Sequence, residues 1–82
     1  MTDDMLLRRI VADPTIFSGK PIIRGFRISV ELILSLLAQG QSIQEICDDY
    51  PELEFDDIRA CIAYAYTIVA NESLDAISIA GQ

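Results

Sequence analysis

No charged residue falls between Ala60 and Ala70, and the apolar positions in and before that run recur at helical spacing. Phe55, Ile58, Ile62, Ala65 and Val69 mark one stripe of a helix expected from Phe55 to about Glu72. Asp56 and Asp57 stand in its first turn, where negative charge suits the helix dipole. Cys61, Tyr64 and Ile68 add a second apolar face beside the first. A helix apolar around most of its girth is buried on more than one side. A chain of 82 residues makes one small domain, which removes only about 60% of its unfolded surface from water. The second face is therefore expected to meet a partner chain through Cys61, Tyr64 and Ile68; the alternative is that N-terminal strands cover it.

Other routes to extra burial are poorly served. The chain has no histidine and two cysteines, Cys47 and Cys61, too few ligands for a structural zinc site. Each cysteine sits in an apolar helical pattern with no secretory leader before it, so free buried thiols and a cytoplasmic location are expected. The stretches without charge fall short of the roughly 18 apolar residues a membrane helix needs. Apolar residues make up 51% of the chain, too many for a disordered acidic polymer. Homodimerisation is what remains.

The first third is punctuated by Asp13-Pro14, Ser18-Gly19, Lys20-Pro21 and Gly25, which leaves no room for a helix of useful length. Residues 1–28 read as an arm of two or three short strands, with Arg9 to Ala12 and Pro21 to Ile28 as the candidates and Gly25 suited to a bulge or tight bend. Ser29 offers an N-cap to a helix carrying Val30, Ile33, Leu34, Leu36 and Leu37, which Gly40 stops. Ser42-Ile43-Gln44-Glu45 is a capping box opening a second helix that ends near Tyr50, because Pro51 disfavours helical geometry in the residue before it. Residues 29–72 thus form a three-helix unit, and 73–82 a tail in which Ile77 and Ile79 alternate. That tail could continue the helix, pair as a strand, or order on a partner, and Ile77 joins the expected interface set.

Charge is segregated along the chain. From Arg8 to Val30 five bases stand against Asp13, a net +4, whereas Glu31 to Gln82 carries one base and ten acids, a net −9, within a total of −7. Seven acids lie between Glu45 and Asp57 with no base among them, so a nucleic acid could approach only the basic segment. A short helix, a turn and a longer helix is a helix-turn-helix layout, but the longer helix opens on Phe55, Asp56 and Asp57 where a recognition helix presents bases or amides. Lys20, Arg24 and Arg27 are the better DNA-contact candidates; otherwise the arginines of this segment pair with the acidic helices.

Catalysis finds no support. Without histidine, proton transfer would fall to carboxylates that have no evident apolar pocket around them. Ser18-Gly19-Lys20-Pro21 lacks the upstream glycine and following hydroxyl of a phosphate loop, and the acidic run lacks the alternating ligands of a calcium loop. No catalytic residue, cofactor or metal is expected.

The string Asp13-Pro14-x-Ile16, Gly19-Lys20-Pro21-x-Ile23-x-Gly25-x-Arg27-Ile28-x-Val30, Gly40-x-Ser42, Glu45-Ile46, Tyr50-Pro51-x-Leu53, Asp57-Ile58-x-Ala60 and Tyr64-Ala65 resembles the domain of unknown function number 433 family from Ile10 to about Ala65. The resemblance implies a mainly α fold, a homeodomain-like three-helix bundle with a β-stranded N-terminal arm. It further implies a non-catalytic antitoxin, similar to the VapB type, that silences a PIN-like toxin ribonuclease and as a dimer binds its own operator. Gly19, Lys20, Pro21, Gly25 and Arg27 match the signature. Phe26 replaces a usual threonine, and Glu54 stands where a threonine cap is expected. The competing expectation is a DNA-binding regulator with no toxin partner.

Overall fold

The computed structural model describes residues 3–71. They form α1 (Asp3–Leu7), β1 (Ile10–Ala12), a 3-10 turn at Phe17–Gly19, β2 (Pro21–Ile23), α2 (Val30–Ala38), α3 (Ile43–Asp49) and α4 (Phe55–Asn71). The architecture is mainly helical, with a two-stranded antiparallel sheet near the N-terminus. The strand register pairs Ile10 with Ile23, Val11 with Ile22 and Ala12 with Pro21.

Two strands alone are marginal in water, and this pair holds because its inner residues sit in the helical core. Ile22 and Ile23 are buried, and Ile23, Ile28, Val30, Ile33, Ile46, Leu53, Ile58 and Cys61 make one cluster. Gly25 supplies the bend that returns the chain to that core. It has φ +88° at the third position of a turn closed by Phe26 N–H donating to Ile23 O, which is type II geometry. Ile23 N–H then donates to Ile28 O, and Ile22 bridges Ser29.

Local chemistry set the helix boundaries where the sequence placed them. Ser29 Oγ accepts Leu32 N–H and starts α2. Gly40, at φ +99°, ends it in a Schellman pair, Gln41 N–H to Leu36 O and Gly40 N–H to Leu37 O. The capping box of α3 is present in both halves, Glu45 N–H to Ser42 Oγ and Ser42 N–H to Glu45 Oε1. At α4 the expected cap is missing from Glu54, and Asp57 compensates: its Oδ2 accepts Glu54 N–H at 2.8 Å.

Two expectations need correction. The first third does hold a helix, α1, too short to persist by propensity. It forms by packing: Leu6 is buried against Ala60 and Ala63 of α4. Those alanines, three apart, leave the room for it. The second concerns the faces of α4. Its buried side is Asp57, Ile58, Ala60, Cys61 and Ala63, whereas Phe55, Ile62 and Val69 of the stripe read as core are exposed. Periodicity located the helix and turned it, because α4 is apolar on nearly all sides beyond Ala60 and its pattern could not say which side meets the rest of the chain.

Candidate protein interface

The basic and acidic segments meet at the start of α4. Arg9 Nη1 donates to Glu54 Oε1 at 2.7 Å and to Asp57 Oδ1 at 3.0 Å. Asp57 is 5% exposed, the one buried charged side chain among the described residues. It is held by the guanidinium on one oxygen and by Glu54 N–H on the other, so neither oxygen is left unpaired. The two carboxylates raise the pKa of Arg9, the hydrogen bond to Glu54 contributing most. The cleft around this junction, about 630 Å³, also takes Arg8, Arg24, Phe26 and Glu52.

The predicted DNA contacts do not share one surface. Lys20 Nζ pairs with Glu31 Oε1 at 2.9 Å, and it lines grooves beside α2. Arg24 lies across the ladder from Arg9, its N–H bonded to Arg9 O, and so faces the acidic start of α4. Arg27 lines a separate hollow with Asp13 and Ile16. There its charge helps keep the Asp13 carboxyl low, after the hydrogen bonds from the Thr15 hydroxyl and N–H that lower it most. Arg8, Arg24 and Arg27 are exposed and have no carboxylate within 4 Å among the described residues.

The predicted partner-interface residues also divide. Cys61 is fully buried in the chain's own core and leaves the interface set: burial raises its thiol pKa to about 12. Cys47, the other free thiol, is partly covered, and burial raises it too. Tyr64 is half-buried against the core, and Ile68 is exposed; both line an apolar groove of about 480 Å³ with Leu34 and Val69. Ile77 lies outside the described residues.

Periodicity groups Phe55, Ile62 and Val69 in one stripe but leaves out Tyr66 and turns the stripe the wrong way: it faces outward. Phe55 is 49% exposed, Ile62 43%, Tyr66 63% and Val69 72%. Alongside it, Ile62, Tyr66, Leu6, Ile43 and Ala63 line a further hollow of about 570 Å³. Ile62 and Tyr66 share that hollow, while Val69 lines the groove beside α2. The spacing marks these positions as a stripe at the 3.5-residue period of a helix that packs on another helix, and only the fold shows that it packs on none of the chain's own. On the carboxylate side, Asp56 pairs with Arg59 at 3.0 Å, while Glu45, Asp48, Asp49 and Glu52 have no base within 4 Å among the described residues. No group of three metal-ligating side chains forms among the described residues, and no described helix is long and apolar enough to cross a membrane.

Residues 10–65 match the family described as Protein of unknown function (DUF433). The chain is also similar to the uncharacterized protein y4eO of Sinorhizobium fredii (strain NBRC 101917 / NGR234), 31% identical over 65 residues that cover 77% of this chain and 29% of the relative. The match thus spans under a third of that protein's length. No solved structure matches the chain.

Proposed function

The chain belongs to the family described as Protein of unknown function (DUF433), and from its charge geometry we propose that it is a non-catalytic, antitoxin-like protein that binds and silences a PIN-like ribonuclease. The observation that carries this reading is the set of carboxylates on α3 that no base pairs with among the described residues. Glu45, Asp48 and Asp49 stand on α3 with no base within 4 Å among the described residues, and α3 packs against α4, whose run from Ala60 to Ala70 is uncharged. A ribonuclease surface that holds RNA phosphates is positive, so an acidic face is steered onto it and competes for the same field. In this reading α2, α3 and α4 are a homeodomain-like unit, with α3 and α4 its helix-turn-helix pair, and the protein works as a dimer.

The test is co-expression with the neighbouring reading frame. The expected result is a complex that co-purifies at low salt and weakens as salt rises. Two proteins that elute independently at low ionic strength would end the reading.

A second reading, a DNA-binding regulator without a toxin partner, is favoured by a separate observation: Arg8, Arg24 and Arg27 stand exposed and unneutralised on the N-terminal side of the molecule. In this reading Lys20, Arg24 and Arg27 of two copies contact phosphates.

A further inference from the structure

We propose that the outward stripe of α4 is covered by the same stripe of a second copy, the two helices running antiparallel with Ile62 at the two-fold axis. The inference rests on the interaction-module reading above for its partner-binding context. It assigns the apolar stripe to self-association and leaves the acidic turn to the foreign partner.

Phe55, Arg59, Ile62, Tyr66 and Val69 follow one another at intervals of four, three, four and three, the alternation of a coiled-coil seam. All five are exposed; Phe55, Arg59, Ile62 and Tyr66 lie outside the groove beside α2, and Val69 at the end of the seam stands at its edge. Over the 17 residues of α4 the helix is about 25 Å long, enough for two full heptads.

Charge then selects the occupant and its direction. The seam contains one charge, Arg59, and a parallel pair would set Arg59 against Arg59 and bring two acidic helix starts together. An antiparallel pair about Ile62 sets Phe55 opposite Val69 and Arg59 opposite Tyr66 of the other copy, seven residues before and after the centre in the first case, three and four in the second. A guanidinium over a tyrosine face is a favourable cation–π contact. Asp56, already bonded to Arg59 at 3.0 Å, holds that guanidinium at the seam's margin. The pattern is thus complementary to itself, which a two-fold contact requires, and the acidic ends point apart. A basic partner would find almost nothing in this stripe to pair with, since from Ala60 to Ala70 it offers no carboxylate.

The full chain would be measured by sedimentation from 1 to 200 μM, beside Tyr66→Lys and Val69→Glu, with circular dichroism to verify that each variant keeps its helix content. Both substituted side chains are exposed, so folding is preserved. The expected result is a dimer whose dissociation constant rises roughly 100-fold or more in either variant, since Tyr66→Lys sets a second cation against Arg59 of the other copy and Val69→Glu buries an unpaired charge against Phe55. Direction is read separately in a Cys47→Ser background: Phe55→Cys mixed with Val69→Cys should form an intermolecular disulfide, and neither alone should. A wild-type monomer at 200 μM would overturn the proposal and hand the stripe to residues 72–82 or to a foreign chain. So would a dimer indifferent to both substitutions, or Phe55→Cys cross-linking to itself. These measurements use the chain alone, so they are independent of the salt-sensitive co-purification that tests partner binding.

Discussion

Arg9 Nη1 lies 3.0 Å from Asp57 Oδ1, a contact between residues 48 apart that fastens the β arm to the first turn of α4. Asp57 is where helix capping and tertiary packing meet, because its other oxygen takes Glu54 N–H. Removing it strands the Glu54 N–H and leaves the Arg9 guanidinium with Glu54 Oε1 alone. Asp57→Ala should lower unfolding free energy by about 2–4 kcal/mol, and Arg9→Met by less, since the carboxylate keeps its backbone donor. Urea midpoints decide; an Asp57→Ala midpoint equal to the parent's would show that the junction carries no stability.

The orientation of α4 makes opposite demands on two isoleucines one turn apart. Ile58 is fully buried and Ile62 is 43% exposed. Ile58→Ala should cost about 2–5 kcal/mol, from apolar surface no longer buried and the cavity left behind. Ile62→Ala, at concentrations where the chain is monomeric, should cost under about 1 kcal/mol. Comparable destabilisation at both sites would mean α4 is turned differently.

Burial of the Cys61 thiol predicts sensitivity to alkali. Its pKa is about 12 in the fold, against 9.0 for a free thiol. Above pH 9 the unfolded chain sheds this proton while the native one retains it, so unfolding becomes easier as pH rises from 9 toward 12. The contribution is intact below the free thiol's pKa. Thermal midpoints taken across that interval should fall less steeply for Cys61→Ala than for the parent, though the alanine starts lower because it leaves a void. Parallel curves would exclude Cys61 as a source.

The capping box of α3 can be opened from one side. Ser42→Ala deletes the acceptor for Glu45 N–H and should cost about 1 kcal/mol, Ser42→Gly only a few tenths. Equal midpoints for serine and alanine would argue that water satisfies the amide equally well.

For the DNA reading, Arg24→Ala combined with Arg27→Ala should weaken binding to the upstream DNA and reduce the salt slope by about one unit for each phosphate no longer neutralised. An unchanged gel shift would remove both arginines from any such surface.

Helix positions were legible in the sequence because their signals are local. Ser29, Gly40 and the Ser42–Glu45 box act within a few residues of themselves, and the structure starts or stops α2 and α3 there. The strand pair was legible for a similar reason, as Gly25 and Pro21 limit what the backbone between them can do. The family resemblance, too, lay in residues 10–65 of the sequence.

What the sequence could not settle was which side of α4 is inside. Beyond Ala60 the helix is apolar all round, so its own pattern favours no rotation about its axis. Tertiary packing chose: α1 laid Leu6 over Ala60 and Ala63, Arg9 reached Asp57, and the core closed on Ile58 and Cys61. That rotation sent Cys61 inward and left Phe55, Ile62, Tyr66 and Val69 outward. Local chemistry fixes where elements begin and end. Only contacts between residues distant in sequence decide which faces they bury, because burial is a property of what comes to lie against a surface.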